Sequence, residues 1–290
     1  MAGKLREVRR RIRSVKSTQK ITRAMELIAA SRIVKAQARS EAARPYAEEI
    51  SRIVADLMAA GGGGAELLVP RETIGNVGVL AVTADRGLAG AYNTNVLRLV
   101  EGERRGATAT TVYAYGRKAL SYFRYREVPL AGTWTGVSDT PPYTVAKEIG
   151  AQLTADYLAG RVDRVLIAYT EYRSVVTQRP IVTQLLPVVA PERVETAGGL
   201  SADIEFEPSA ETILESLLPR YVESRVFACL LDAAASEHAA RRRAMKAATD
   251  NADELIKILT RDANRARQAE ITPEISESVG GAEALAAKED

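Results

Sequence analysis

Two hydrophobic periodicities divide the chain. Near the start, Leu5, Val8, Ile12 and Val15 follow the three-then-four spacing of a coiled-coil seam, and Thr18, Thr22, Met25 and Ala29 continue it with smaller or more polar side chains. From Lys4 to about Ala60 there is one proline, Pro45, and no glycine, so the spacing predicts a single long helix. Glycines 61–64 end it and supply a joint. The far end mirrors this. Pro208-Ser209 opens an acid-bearing first turn in the manner of a helix N-cap, and from there to Ala269 the only proline is Pro219. Met245, Ala252, Leu259 and Ala266 recur every seven residues, with Ala248 and Leu255 expected as the interleaved seam positions. Helices of about 55 and about 75 residues would be roughly 80 and 110 Å long, more than a compact domain can cover. Pro273 is expected to kink or restart the second helix, because it lacks the donor an interior turn needs.

Between these ends the pattern switches. "VGVLAVT" (Val77–Thr83) reads as a strand, "DRGLAG" as a turn and "AYNTNVLRLVEGERRG" as a helix. "TATTVYAYG" and "RKALSYFRY" repeat strand and helix, which makes a βαβ unit. A third helix over about Pro142 to Ala159 leads into "RVLIAYTEY" and "IVTQLLPVV", two strands expected to form a hairpin around Val176–Pro180. "APERVETAGGLSADIEFEP" reads as a loop or edge segment returning to the last helix. The chain thus divides into a helix at 1–60, an α/β domain at 70–207 and a helix at 208–290, with no internal repeat.

Composition narrows the function classes. The 290 residues are 46% hydrophobic, enough for a sizeable core, and 40 basic against 37 acidic residues leave a net charge of only +3. Bulk charge therefore does not indicate a nucleic-acid binder. Charge is concentrated instead: Lys4, Arg6, Arg9, Arg10, Arg11, Arg13 and Lys16 face the single acid Glu7. Such a strip can be a solvated face, a phosphate-binding face or a match for an acidic protein surface. No aromatic residue precedes Tyr46 to stack on bases, which weighs against the nucleic-acid reading. No stretch is long and apolar enough to cross a bilayer, so the chain is not expected to span one. One cysteine, Cys229, excludes an internal disulfide, and one histidine, His238, leaves little scope for a transition-metal site. Both fall in an alanine-rich helical stretch, where packing is the expected role.

Catalytic chemistry is hard to place. "DRGLAG" joins a strand to a helix, where a phosphate loop would lie, yet Gly87 and Gly90 match neither G-x-G-x-x-G nor the P-loop spacing. A plain turn is the better reading. With no G-x-S-x-G, no second histidine and no close set of carboxylates, no catalytic, cofactor or metal site is expected. Two other readings remain, a basic coiled-coil nucleic-acid binder and a nucleotide-using α/β enzyme with helical arms. Near the C-terminus "NRARQAEIT" (Asn264–Thr272) presents donors with almost no apolar residue between them. They either pair with their own acids, Asp262 with Arg265 and Arg267 with Glu270, or reach for a partner.

Three long stretches resemble one family closely. "MAGKLREVRRRIRSVKSTQKITRAMELIAASRIVKAQ", "TADRGLAGAYNTN" and "LLPRYVESRVFACLLDAAASEHAARRRAMKAATDNADELI", followed by "NRARQAEITPEISESVGGAEAL", are similar to the γ subunit of bacterial F-type ATP synthase, its central rotor shaft. The resemblance implies an α+β or α/β chain in which the terminal helices form a long antiparallel coiled coil beside a central Rossmann-like α/β domain. It implies a non-catalytic rotor that couples proton flow to conformational cycling of catalytic β subunits. Its partners would be the hexameric ring of α and β subunits, the ε subunit and the membrane c-ring, with no nucleic acid, at the cytoplasmic face of the cell membrane. Arg267 and Gln268 would form a catch against one β subunit, with Asn264, Arg265 and Thr272 ordering that surface. Lys16, Lys20, Arg23 and Met25 would lie near acidic β loops. This chain departs from the family pattern at Ala89, where many relatives have cysteine, and lacks a cysteine-bearing regulatory insert. It also departs at Arg261-Asp262-Ala263, where apolar and aromatic residues are usual, and at Ser278. These changes are expected to remove thiol control and to reduce apolar packing before the catch.

Overall fold

The computed structural model describes residues 2–61, 64–189 and 209–286, with side chains at 5–61, 64–189, 209–273, 275, 276 and 279. The elements are α1 (Ala2–Ala59), β1 (Asn76–Val82), α2 (Tyr92–Gly106), β2 (Ala109–Tyr115), α3 (Arg117–Tyr125), β3 (Leu130–Trp134), α4 (Tyr143–Leu158), β4 (Arg164–Tyr172), β5 (Gln178–Leu186) and α5 (Ala210–Ala286). They build two compact units. One contains Ala29–Arg241, and the other joins residues up to Ile28 with those from Arg242 onward.

Within the larger unit, five strands form one sheet in the order β3-β2-β1-β4-β5. Neighbours are parallel except for the antiparallel β4–β5 pair. The central strands are buried on both faces, as a parallel sheet covered by helices requires. Along β1 the side chains alternate. Val77, Val79 and Ala81 pack with Val96 and Val100 of α2 and Phe123 of α3. Leu80 and Val82 turn the other way, onto Ile149 and Leu153 of α4, Val54 and Leu57 of α1, and Leu218 and Val222 of α5. Both long helices therefore contribute to this core over the parts that belong to this unit.

The expected helices and the βαβ order are present, and three details differ. β3 was not anticipated: five residues containing Gly132 give a weak apolar signal, and an edge strand needs only one buried face. The hairpin turn lies at residues 173–177, where Arg173 and Ser174 both donate to the Thr177 carbonyl. β5 consequently starts at Gln178 and carries Pro180, which an edge strand tolerates because one row of its donors faces away from the ladder. α5 runs through Pro273 without a break, so no restart occurs there. Ser209 does act as the helix cap, its hydroxyl accepting from the Thr212 amide at 3.2 Å. The segment 190–208, expected as a loop, lies outside the described residues.

"DRGLAG" is a turn held by its own chain. Asp85 accepts from the backbone amides of Arg117, at the start of α3, and of Ser138, at 3.0 and 2.9 Å. Burial raises the Asp85 carboxyl, but these amides and that of Gly136 outweigh it, and the group sits below its ordinary pKa. The positive end of α3 is thus occupied by an internal anion. Gly116 just before α3 has φ +88°, and a Cβ there would collide with the Thr83 carbonyl. Cys229 is buried and His238 is only 1% exposed, and burial pushes the His238 pKa down, so the ring is neutral near pH 7.

Asp232 is less comfortable. Burial first, then the nearby Glu171, raises its carboxyl from 3.8 to about 6, against the Tyr172 amide and Arg44. Because the folded-state pKa is the higher one, the cost to stability is absent below about pH 4 and complete above about pH 6. Asp232→Asn keeps an acceptor for the Tyr172 amide. It is expected to stabilise the chain by about 1–2 kcal/mol at pH 7.5 and by nothing measurable at pH 4, after allowance for partial exposure. Urea unfolding at the two pH values checks this.

Candidate contact surface of the helix pair

In the smaller unit α1 and α5 pair directly. Gln19 Nε2 donates to the Asp253 carboxylate, and the hydroxyls of Thr22 and Thr249 meet at 2.8 Å. Numbers rise along one helix as they fall along the other, so the pair is antiparallel. The buried side chains of α5 are Met245, Thr249, Ala252, Leu259 and Ala263, with Ile256 and Ala266 half-buried between and after them. On α1, Leu5, Val8, Ile12, Val15 and Gln19 are half-buried and Thr22 is buried.

This seam corrects the sequence reading at its second position. Thr249 and Ile256 face the partner helix, whereas Ala248 is half-buried and Leu255 is 43% exposed. Likewise Gln19 lies on the seam and Thr18 is exposed. Positions three and four residues on from a seam residue flank it at similar angles, and the polar Thr249 and Gln19 disguised the true choice. The two threonines satisfy each other. Each hydroxyl is also within reach of a carbonyl of its own helix, Gln19 at 3.0 Å and Met245 at 2.9 Å, so one proton can cross while the other stays home.

The predicted catch residues all lie on the outer surface. Asn264, Arg265, Arg267, Gln268 and Thr272 are exposed, and the Thr272 hydroxyl is engaged by the Gln268 carbonyl at 2.9 Å. Among the described residues no ion pair joins Asp262 to Arg265 or Arg267 to Glu270. Glu270 turns toward the seam, with one carboxylate oxygen buried and without a hydrogen bond. The purely internal answer to what these donors reach for is therefore not realised. The departure at Arg261-Asp262-Ala263 leaves the seam closed, because Ala263 is the member that faces inward, at 9% exposure. The side chain of Ser278 lies outside the described residues.

Lys16, Lys20 and Arg23 are exposed and Met25 is half-buried, with Arg23 paired to Glu26 at 3.2 Å. By the observed register this set is level with α5 residues from about 256 back to about 247. Arg267 and Gln268 are instead level with the first turns of α1, so the two predicted sets form separate patches about 12 Å or more apart along the axis. Apolar side chains are also left bare on this pair: Ile21, Leu27 and Ile28 of α1 and Ile258, Ile271 and Ile275 of α5, each at least 42% exposed. So much open aliphatic surface on a helix pair already closed at its seam indicates a further partner.

Residues 4–285 match the family model described as "ATP synthase". The gamma chain of Frankia casuarinae ATP synthase is 53% identical over 295 residues, covering 99% of both chains. That of Saccharopolyspora erythraea is 49% identical over 301 residues, covering 98% of both. The chain belongs to the ATP synthase gamma chain family. Chains in solved structures share this fold. A chain of the Euglena gracilis mitochondrial ATP synthase OSCP/F1/c-ring structure matches all of this chain and 97% of its own length at a TM-score of 0.72 and 18% identity. A chain of the Tetrahymena thermophila mitochondrial central stalk and c-ring covers 79% of this one at a TM-score of 0.61 and 22% identity. As a gamma chain the protein is a component of the ATP synthase complex, and no described helix is long and apolar enough to cross a membrane.

The sequence did not single out one buried charged pair. In the larger unit, Arg241 and Glu237 form a buried ion pair at 2.6 Å, and Arg241 also donates to the Gly87 carbonyl of the "DRGLAG" turn at 3.4 Å. The available signal was a glutamate and an arginine four apart within "AAASEHAARRR".

Proposed function

We propose that the chain is the rotating central stalk of a proton-translocating F-type ATP synthase. Its helix pair turns inside the ring of α and β subunits, and its α/β domain attaches to the ε subunit and the c-ring. The single observation that carries this reading is a helix pair sealed along its seam but bare outside it, in a gamma chain at 53% identity to a relative of that name over 99% of its length. A shaft of this kind needs surface that can be gripped and released rather than a permanently buried interface. Coupling then requires that contact energy differ between shaft angles, since a partner that binds all angles equally shifts nothing. On this reading ATP is made at β-subunit sites, the chain supplies no catalytic group, cofactor or metal ligand, and the complex works at the cytoplasmic face of the bacterial membrane. The division into helix, domain and helix at 1–60, 70–207 and 208–290 is a division of labour between ring contacts and foot contacts.

The patches have separate roles in this proposal. Arg267 and Gln268 form the catch, with Asn264, Arg265 and Thr272 ordering it. Lys16, Lys20, Arg23 and Met25 meet acidic β loops at another level. Support comes from the exposure of all of these but the half-buried Met25 and, for Arg267, from the lack of an ion pair among the described residues. The test is reconstitution from α, β, ε and membrane-sector subunits of the same organism. Proton-driven ATP synthesis is expected only when this chain is included. Failure of the chain to co-purify with α and β, or equal synthesis without it, overturns the assignment.

A further inference from the structure

Between α2 and α3, in the larger unit, lies a groove of about 470 Å³. Its floor is made by Leu97, only 8% exposed, and by the ring of Tyr122. Arg98 and Arg105, two turns apart on one face of α2, form one wall, and Arg126, immediately after α3, forms the other. The only carboxylate that lines the groove is Glu101, and both of its oxygens are taken by Arg104 NH1, at 3.0 and 3.1 Å. None of the three lining arginines has an ion-pair partner among the described residues. Arg105 Nε donates to the Glu101 backbone carbonyl at 3.2 Å, which leaves its terminal nitrogens free to turn inward. Arg126 lies over the Tyr122 ring at 5.1 Å, a stacked position that limits its rotamers before any ligand arrives.

Three guanidinium groups thus border one concavity with no acid left to balance them. Like charges gathered this way repel, and the repulsion is relieved by an anion with several acceptor oxygens. Planar guanidinium forks match tetrahedral phosphate oxygens in paired hydrogen bonds, and one carboxylate has too few oxygens for three such forks. We propose that this groove is a binding site for a phosphate-bearing anion, held by Arg98, Arg105 and Arg126. The anion is either a free oligophosphate or the headgroup of an anionic phospholipid, which share this chemistry.

The experiment uses the full chain. Pyrophosphate is titrated by calorimetry, and sedimentation is measured with vesicles of phosphatidylglycerol and of phosphatidylcholine. Saturable binding at a stoichiometry of one is expected, with Arg98→Gln and Arg126→Gln each weakening it about tenfold or more, consistent with loss of a charge-assisted bidentate contact. Arg124→Gln, at an exposed arginine of α3 that does not line the groove, should change binding less than about twofold. A lipid source is identified if phosphatidylglycerol vesicles alone carry the chain down in an Arg98- and Arg126-dependent way. A free source is identified if pyrophosphate binds and both vesicle types do not. The proposal is overturned if neither probe binds, if Arg98→Gln and Arg126→Gln bind as the parent does, or if Arg124→Gln is equally damaging. Circular dichroism of each variant shows that the fold is kept.

Discussion

Arg241→Met is expected to lower the unfolding free energy by about 3–5 kcal/mol at pH 7.5, the effect of stranding a buried charge. Glu237 is 1% exposed and Arg241 6%, so neither can turn to water without opening the fold. Burial pushes the Glu237 carboxyl above its ordinary pKa, and Arg241 is the main influence drawing it back. Removing the guanidinium lets the pKa rise further. Since the folded-state value is then well above the unfolded one, the penalty is small near pH 4, where the carboxyl is protonated in both states, and grows as pH rises. The double variant Glu237→Leu/Arg241→Met should recover most of the loss, because a well-packed apolar pair of similar volume replaces a buried ion pair at little or no cost. Urea unfolding of the two single variants and the double variant measures the coupling directly. A single-variant loss below about 1 kcal/mol at pH 7.5 contradicts the account. The same change removes the donors to the Gly87 carbonyl, so amide exchange in the "DRGLAG" turn should quicken even where global stability is restored.

Much of this architecture was legible because its signals are long. Two glycine-free stretches fix α1 and α5, and the short, nearly continuous apolar run "VGVLAVT" fixes β1 as a strand buried on both faces. What escaped was set by competition that sequence does not record. Ala248 is the more apolar choice beside Thr249, yet Thr249 faces α1, with Ile256 two turns on, because Thr22 supplies a hydroxyl opposite Thr249 and satisfies it. β3 is held in register by β2 and packs little of its own surface, so its five residues carry almost no pattern. The Glu237–Arg241 pair carries no sequence mark of its burial, which depends on how closely the "DRGLAG" turn lies over it. For the proposed catch the sequence supplied the candidate donors but did not show whether they were already paired. Only the turn of Glu270 toward the seam shows that Arg267 has no acid of its own to hold.

That freedom gives the second large effect. In the assembled complex, Arg267→Ala with Gln268→Ala is expected to reduce proton-driven ATP synthesis by about tenfold or more, while the chain alone unfolds within about 0.5 kcal/mol of the parent. Both side chains are exposed and make no side-chain contact that closes the seam, so the isolated helix pair has little to lose. In the proposed contact, by contrast, Arg267 gives up water for charge-assisted hydrogen bonds, each worth roughly 1.5–3 kcal/mol when its partner is ionised. Such a contact can transmit torque only if it is made at some shaft angles and broken at others. A loss of this size therefore flattens the energy difference between angles rather than loosening the whole complex. Arg267→Lys separates charge from geometry: a point charge retained without the planar fork should recover part of the activity but not all of it. The measurement is synthesis and hydrolysis by fully assembled variants, with subunit content checked on the same sample. Unchanged synthesis in the double variant would remove Arg267 and Gln268 from the coupling path. Loss of the α and β subunits from the preparation would assign them to assembly instead.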